Sequence, residues 1–286
     1  MLVATVSERP TTALKDAARL TEFTGWGGQR LGVLRYTVPN SFTALNLLLG
    51  VASIITTQMG DLELAGWIIV WCGLLDVMDG VSARLLNATS SFGAEFDSMA
   101  DLVSFGVAPA VLILNAGLQL GGIEYDSGQF WILLIAISVF VLAGAMRLAR
   151  FNLVSDKPSN GWFTGVPITG AGGGILSSLV LVLIHQEELA ESLPLHLFLP
   201  VLMFVLALLM ISRLRFPKAT RRKSNFINVF QVIAIAGIYY CGITRTHPEY
   251  LLGIGIFLLV AGIIAGRINS ILSKKNKEPE SLHHVE

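Results

Sequence analysis

The chain has 286 residues, a formal net charge of +0, 53% hydrophobic residues and only 14% charged ones, with a mean hydropathy of +0.67. Soluble domains carry about 25% charged residues, so this composition excludes an ordinary soluble class and points to a membrane protein. The neutral balance says little about partners and gives no reason to expect a nucleic acid, while the two distant cysteines, Cys72 and Cys241, offer neither a disulfide framework nor a metal-binding pair.

In chain order, residues 1–36 read as a cytosolic extension that lacks the apolar core of a cleaved signal peptide, with a short surface helix expected over Thr12 to Leu20. A membrane domain follows over residues 37–270. A spanning helix needs about 20 mainly apolar residues. Eight such segments occur, at roughly 41–59, 62–86, 94–117, 129–150, 164–185, 193–212, 226–244 and 248–266. The last two are joined by a tight turn over Arg245 to Pro248, and residues 271–286 form a polar cytosolic tail. The predicted fold class is all-α: a polytopic bundle of about eight transmembrane helices.

Charge placement orients the bundle. With the N-terminus inside, all of the 20 Lys and Arg except Arg245 fall on cytoplasmic segments or cytosolic helix ends, while the outer loops carry Glu124, Asp126, Glu187, Glu188 and Glu191. That is the bias that membrane topology follows. Both termini are expected in the cytosol, with a prokaryotic inner (cell) membrane as the location.

The second and third spans hold Asp76, Asp79, Asp97 and Asp101. Ionised groups in a membrane helix are expensive and mark function by default. The first pair is three residues apart and the second four, so each pair shares one helix face. The chosen topology brings the two pairs together near the cytosolic surface, across the linker Asn87 to Gly93, where Ser90 or Ser91 is a plausible helix cap. No Cys or His lies close in sequence, and hard oxygen ligands alone favour Mg²⁺ or Mn²⁺. Four carboxylates can hold two divalent ions, the arrangement that clamps an in-line phosphoryl displacement. Gly80, Ala83 and Gly93 leave room for a bulky ligand, and Arg84 places a cation suited to phosphate on the same patch. A diphosphate substrate fits this group.

The stretch reads D-x-x-D-G-x-x-A-R, eight residues, then G-x-x-x-D-x-x-x-D. In this it resembles the CDP-alcohol phosphatidyltransferases. Val38 to Gly50, the block Ser91 to Ala110 and Arg147 to Asn152 look like the bacterial and archaeal phosphatidylserine synthase branch, and the likeness covers roughly residues 37–185. The resemblance implies a homodimeric membrane enzyme that moves a phosphatidyl group from CDP-diacylglycerol to an alcohol and releases CMP. It implies Asp76, Asp79 and Asp97 as the main ligands of two divalent ions, with Asp101 as general base at their edge. Gly80, Ala83 and Gly93 would make room for the nucleotide and Arg84 would contact its phosphates. Asn40 and Thr43 in the first span would line the nucleotide end, as could Asn46 if it is not a helix–helix hydrogen bond.

Acceptor selection is expected to use Arg147, Arg150 and Asn152. A carboxylate-bearing acceptor such as L-serine suits an arginine there. Glycerol 3-phosphate or an inositol phosphate would want a denser cationic pocket, and choline an aromatic cage. A cation transporter would place acids near midplane in repeated halves, whereas here they gather toward one face of one half. The adjacent Gly170, Gly172, Gly173 and Gly174 are expected to permit close helix packing.

Overall fold

The computed structural model describes residues 26–86, 90–154, 162–217 and 225–275; the expected surface helix over Thr12 to Leu20 and the end of the tail lie outside the described residues. Helix α1 (Trp26–Gln58) runs for 33 residues with Pro39 inside it. At 1.5 Å per residue that is about 50 Å, longer than a hydrocarbon core of roughly 30 Å. Its apolar portion begins at Thr37. Gly60, at φ +91°, makes the turn into α2 (Leu62–Leu85), and Asp61 caps it by accepting the Leu64 N–H at 2.9 Å. So short a turn leaves α1 and α2 antiparallel and packed along each other.

Ser90 opens α3 (Ser91–Asp101), its hydroxyl accepting the Gly93 N–H at 3.0 Å. The same rod continues through a π-helical stretch, Leu102–Val107, into α4 (Ala108–Gln119). The cause is Pro109, which has no N–H to return to the Phe105 carbonyl in an α-helical turn. Winding loosens just before it, and the Ala108 N–H reaches Val103 O, five residues back. Helix α5 (Gly128–Val154) follows. A second π-helical stretch, the glycine-rich Thr169–Leu176, leads into α6 (Ser177–His185). After the short α7 (Glu187–Ser192) come α8 (Leu195–Ile211), α9 (Asn225–Thr244) and α10 (Pro248–Lys275).

The two π-helical stretches pack on each other. A side chain at Gly172 would run into the Phe105 carbonyl oxygen, and one at Gly173 would meet the Phe105 ring at 2.9 Å. The glycines therefore let two helices touch through backbone. Around this crossing Phe105, Leu112, Phe140, Ile168, Leu176 and Leu199 are fully buried.

The bundle is helical, as the hydrophobic pattern requires, and its apolar helices overlap the eight expected segments, although the fifth begins at Thr169 rather than 164, where Thr164 ends a short strand and Gly165 takes φ +79°. Five of them, Thr37–Gln58, Leu62–Ser82, Ser91–Gln119, Gly128–Leu153 and Pro248–Ile268, are long and apolar enough to cross a membrane. Thr169–His185, Leu195–Ile211 and Gln231–Thr244 are apolar but shorter, so length does not establish eight crossings. One feature was not expected. Strand β1 (Trp162–Thr164) pairs antiparallel with β2 (Arg215–Pro217), in register Phe163 to Phe216. Three-residue strands carry too little alternation to stand out in sequence.

Candidate active site

The first turns of α3 lie against α1. A side chain at Gly93 would sit 3.1 Å from Ser90 Oγ and 3.3 Å from Asn40 Oδ1. Gly93 thus lets the start of α3 approach Asn40 on α1. Gly80 is exposed on α2; the side chains of Ala83 and Arg84 lie outside the described residues.

Deeper in, carboxylate oxygens of Asp76 (α2), Asp97 and Asp101 (α3) all lie within 4.8 Å of one another. Two helix faces with i, i+3 and i, i+4 spacing thus meet. The fourth aspartate is held slightly apart. Asp79 is buried and accepts a hydrogen bond from the Thr43 hydroxyl on α1. Its charge still acts on Asp76, Asp97 and Asp101. Helix α1 is therefore a third wall of the site, and Thr43 reaches it as a partner of a carboxylate.

Clustered carboxylates repel one another, and a buried polar atom without a partner is costly. Asp101 Oδ1 is such an atom. Among the described residues, no Lys, Arg or His is recorded in a direct ion pair with the three converging aspartates; the ion pair that is recorded joins His185 and Glu63. An oxygen-only donor set, short mutual distances and an orphaned oxygen fit a hard divalent cation.

Arg147 on α5 is buried, 8% exposed. Its charge acts on Asp101, and its Nε makes no hydrogen bond. Arg150, one turn on, is engaged differently. It donates to the carbonyls of Ile211 at 3.0 Å, Met210 at 3.3 Å and Thr164 at 3.3 Å. It thereby caps the C-terminus of α8 and ties it to β1, where Gly165 (φ +79°) lies against the Met210 carbonyl. Asn152 donates at 3.0 Å to both Glu95 Oε2 and Ser98 Oγ, linking α5 to α3.

Sequence reasoning passed over Ser104 and the backbone of Asn46. The Ser104 hydroxyl donates to Asn46 O at 3.0 Å, and the Cys72 thiol lies 3.6 Å from the same carbonyl. Asn46 itself is 1% exposed, with Oδ1 unpartnered. A small polar residue beside Gly50, whose added side chain would reach Ser104, was the available signal.

A family model for CDP-alcohol phosphatidyltransferase matches residues 36–260. A Helicobacter pylori protein named CDP-diacylglycerol–serine O-phosphatidyltransferase is 36% identical over 230 residues, 80% of this chain and 90% of that protein. A Methanocaldococcus jannaschii protein of the same name is 32% identical over 231 residues, 80% of this chain and 93% of its own length. An archaetidylserine synthase of Methanothermobacter thermautotrophicus is 32% identical over 183 residues, 63% of this chain and 70% of that one.

Proposed function

The chain belongs to the CDP-alcohol phosphatidyltransferase family, and on that premise we propose that this membrane-embedded transferase moves the phosphatidyl group of CDP-diacylglycerol to L-serine, giving phosphatidylserine and CMP. The observation that carries the reading is the convergence of Asp76, Asp97 and Asp101 within 4.8 Å in apolar helices. The names of its relatives supply the serine.

The serine hydroxyl oxygen forms the new bond to the lipid-side phosphorus as the bond from that phosphorus to the CMP oxygen breaks. The electron pair leaves with CMP, and the hydroxyl proton passes to Asp101, whose Oδ1 has no other partner. Asp76, Asp79 and Asp97 would hold two divalent ions, Mg²⁺ or Mn²⁺, with Asp101 at their edge; bound there, the ions would neutralise the diphosphate and polarise the attacked phosphorus. Thr43 fixes the rotamer of Asp79, as partners of metal-binding carboxylates do. Asn40, Gly80, Ala83, Arg84 and Gly93 form the nucleotide side. Arg147 offers its charge to the acceptor carboxylate, with Asn152 at the mouth and Arg150 capping the end of α8.

The reading also includes a membrane domain over 37–270 between cytosolic extensions, a cytosol-facing site in the cell membrane, and a homodimer. The family match over residues 36–260 supports the first. The test is purified protein with CDP-diacylglycerol, Mn²⁺ or Mg²⁺ and a panel of serine, glycerol 3-phosphate, an inositol phosphate and choline, following CMP. Release is expected with serine. Release with no alcohol overturns the enzyme, and release with glycerol 3-phosphate but not serine overturns the acceptor.

A further inference from the structure

Asn46 on α1 has no part in the reaction described so far, although it is buried in the wall of the site. Thr43, three residues before it, hydrogen-bonds Asp79, and Gly50, four residues after it, packs against Ser104. At that spacing the three share one helix face, so Asn46 looks onto α2 and α3 between those two contacts. Its own backbone meets both walls: the carbonyl accepts the Ser104 hydroxyl at 3.0 Å, and the Cys72 thiol lies 3.6 Å from it. Ser104 comes three residues after Asp101 and Cys72 four before Asp76, one turn deeper than the aspartates in each case. In a helix the carbonyls point to the C-terminus and the Cα–Cβ bonds tilt to the N-terminus. The Asn46 carbonyl therefore turns down to Ser104 and Cys72, and its carboxamide tilts the other way, toward the level of Asp76 and Asp101.

The carboxamide oxygen, Oδ1, is buried and has no hydrogen-bond partner. The donors on the faces around it are committed elsewhere. The Thr43 hydroxyl goes to Asp79, and the Ser104 hydroxyl and Cys72 thiol go to the Asn46 backbone carbonyl. The same seam otherwise supplies carboxylate oxygens, of which Asp101 Oδ1 is orphaned as well. Buried acceptors of two kinds that lack a donor are completed by a cation. An amide carbonyl oxygen is a hard donor atom that suits Mg²⁺ and Mn²⁺, and being neutral it adds no charge to an already crowded acidic group. Resting on the two-ion reading above, we propose that Asn46 Oδ1 is a further metal ligand, approaching the Asp76–Asp101 end of the cluster from the α1 side.

A hydrogen bond from the Asn46 amide N–H to one of the aspartates, the part Thr43 plays for Asp79, is the competing role, and a change of charge separates the two. Purified full-length protein in detergent, without lipid substrate, is titrated with Mn²⁺ while free Mn²⁺ is followed by electron paramagnetic resonance. The rise in melting temperature on adding Mn²⁺ checks the same affinity. Asn46→Leu should weaken the binding of one Mn²⁺ by at least about tenfold, the scale on which even a residue that only orients a ligand acts. Asn46→Asp should bind Mn²⁺ at least as tightly as the unsubstituted protein, because a carboxylate oxygen takes the place of the amide oxygen. Unchanged Mn²⁺ affinity in Asn46→Leu overturns the proposal and leaves Asn46 a packing or water-bound residue. Weakened binding in Asn46→Asp overturns it too, since that is what a lost amide donor produces. Should Asn46→Leu fail to fold, Asn46→Asp, prepared in Mn²⁺, decides alone. An unsubstituted protein that binds no Mn²⁺ is a different result, and it overturns the two-ion reading itself.

Discussion

Around the aspartates, buried polar atoms are left incomplete: Asp101 Oδ1, Asn46 Oδ1 and Arg147 Nε make no hydrogen bond, and three carboxylates crowd within 4.8 Å. The α9–α10 pair is constructed the other way. It exposes Val229, Val232, Ile233, Phe257, Leu258 and Val260, and its polar contacts to the rest are closed ones. Trp71 Nε1 donates to Gly242 O at 2.7 Å and the Tyr239 hydroxyl to Leu74 O at 3.0 Å. Each buried unsatisfied group costs about 1–3 kcal/mol. Such groups persist in a fold where a ligand completes them, while an apolar outer face meets lipid at no such cost. The first region leaves polar groups open and the second closes them. Trp67 Nε1, buried beside the pair, is an exception that nothing in the structure explains.

The largest test of this contrast is Asp101→Asn. Loss of the proton acceptor should lower CMP formation by about 10³-fold while CDP-diacylglycerol binding stays near its original level. In a chelator the same change should raise the melting temperature, because it removes one charge from a crowded buried group. A loss of lipid binding equal to that of Asp76→Asn, measured side by side, would remove the separate role of Asp101. A smaller effect is expected from Thr43→Val, which deletes the hydrogen bond to Asp79. The Mn²⁺ concentration for half-maximal activity should rise about 10- to 100-fold, with little change at saturating metal; an unaltered metal curve would place Asp79 outside the metal site. The smallest is Tyr250→Phe in the α9–α10 pair, where the hydroxyl donates to Ala234 O at 3.3 Å. Thermal stability should fall by the equivalent of about 1 kcal/mol or less with turnover unchanged. A loss of turnover there would mean that the two regions are coupled.

The acidic cluster is legible in the sequence, and the structure brings Asp76, Asp97 and Asp101 together. Asp76, Asp79, Asp97 and Asp101 announce themselves because a carboxylate in an apolar helix has few reasons to exist, and their spacing fixes which face each occupies. The structure then sorted the residues around them. Arg147 and Arg150 look equivalent at i, i+3, yet the first is buried beside Asp101 and the second is engaged with the carbonyls of Thr164, Met210 and Ile211. Gly93 also has Asn40 of α1 as a near neighbour, a contact that its place in the sequence does not disclose.

By itself, the sequence determined that the chain is a bundle of apolar helices with an acidic centre at one end, because burial energetics and helical period act locally along the chain. Tertiary structure alone decided three further matters. These are that α1 supplies Thr43 to Asp79, that Pro109 and the glycines let two π-helical stretches cross backbone to backbone, and that Asn152 links α5 to α3. Each depends on which helices become neighbours and at what separation, and that is set by the packing of the whole bundle rather than by any residue's own preference.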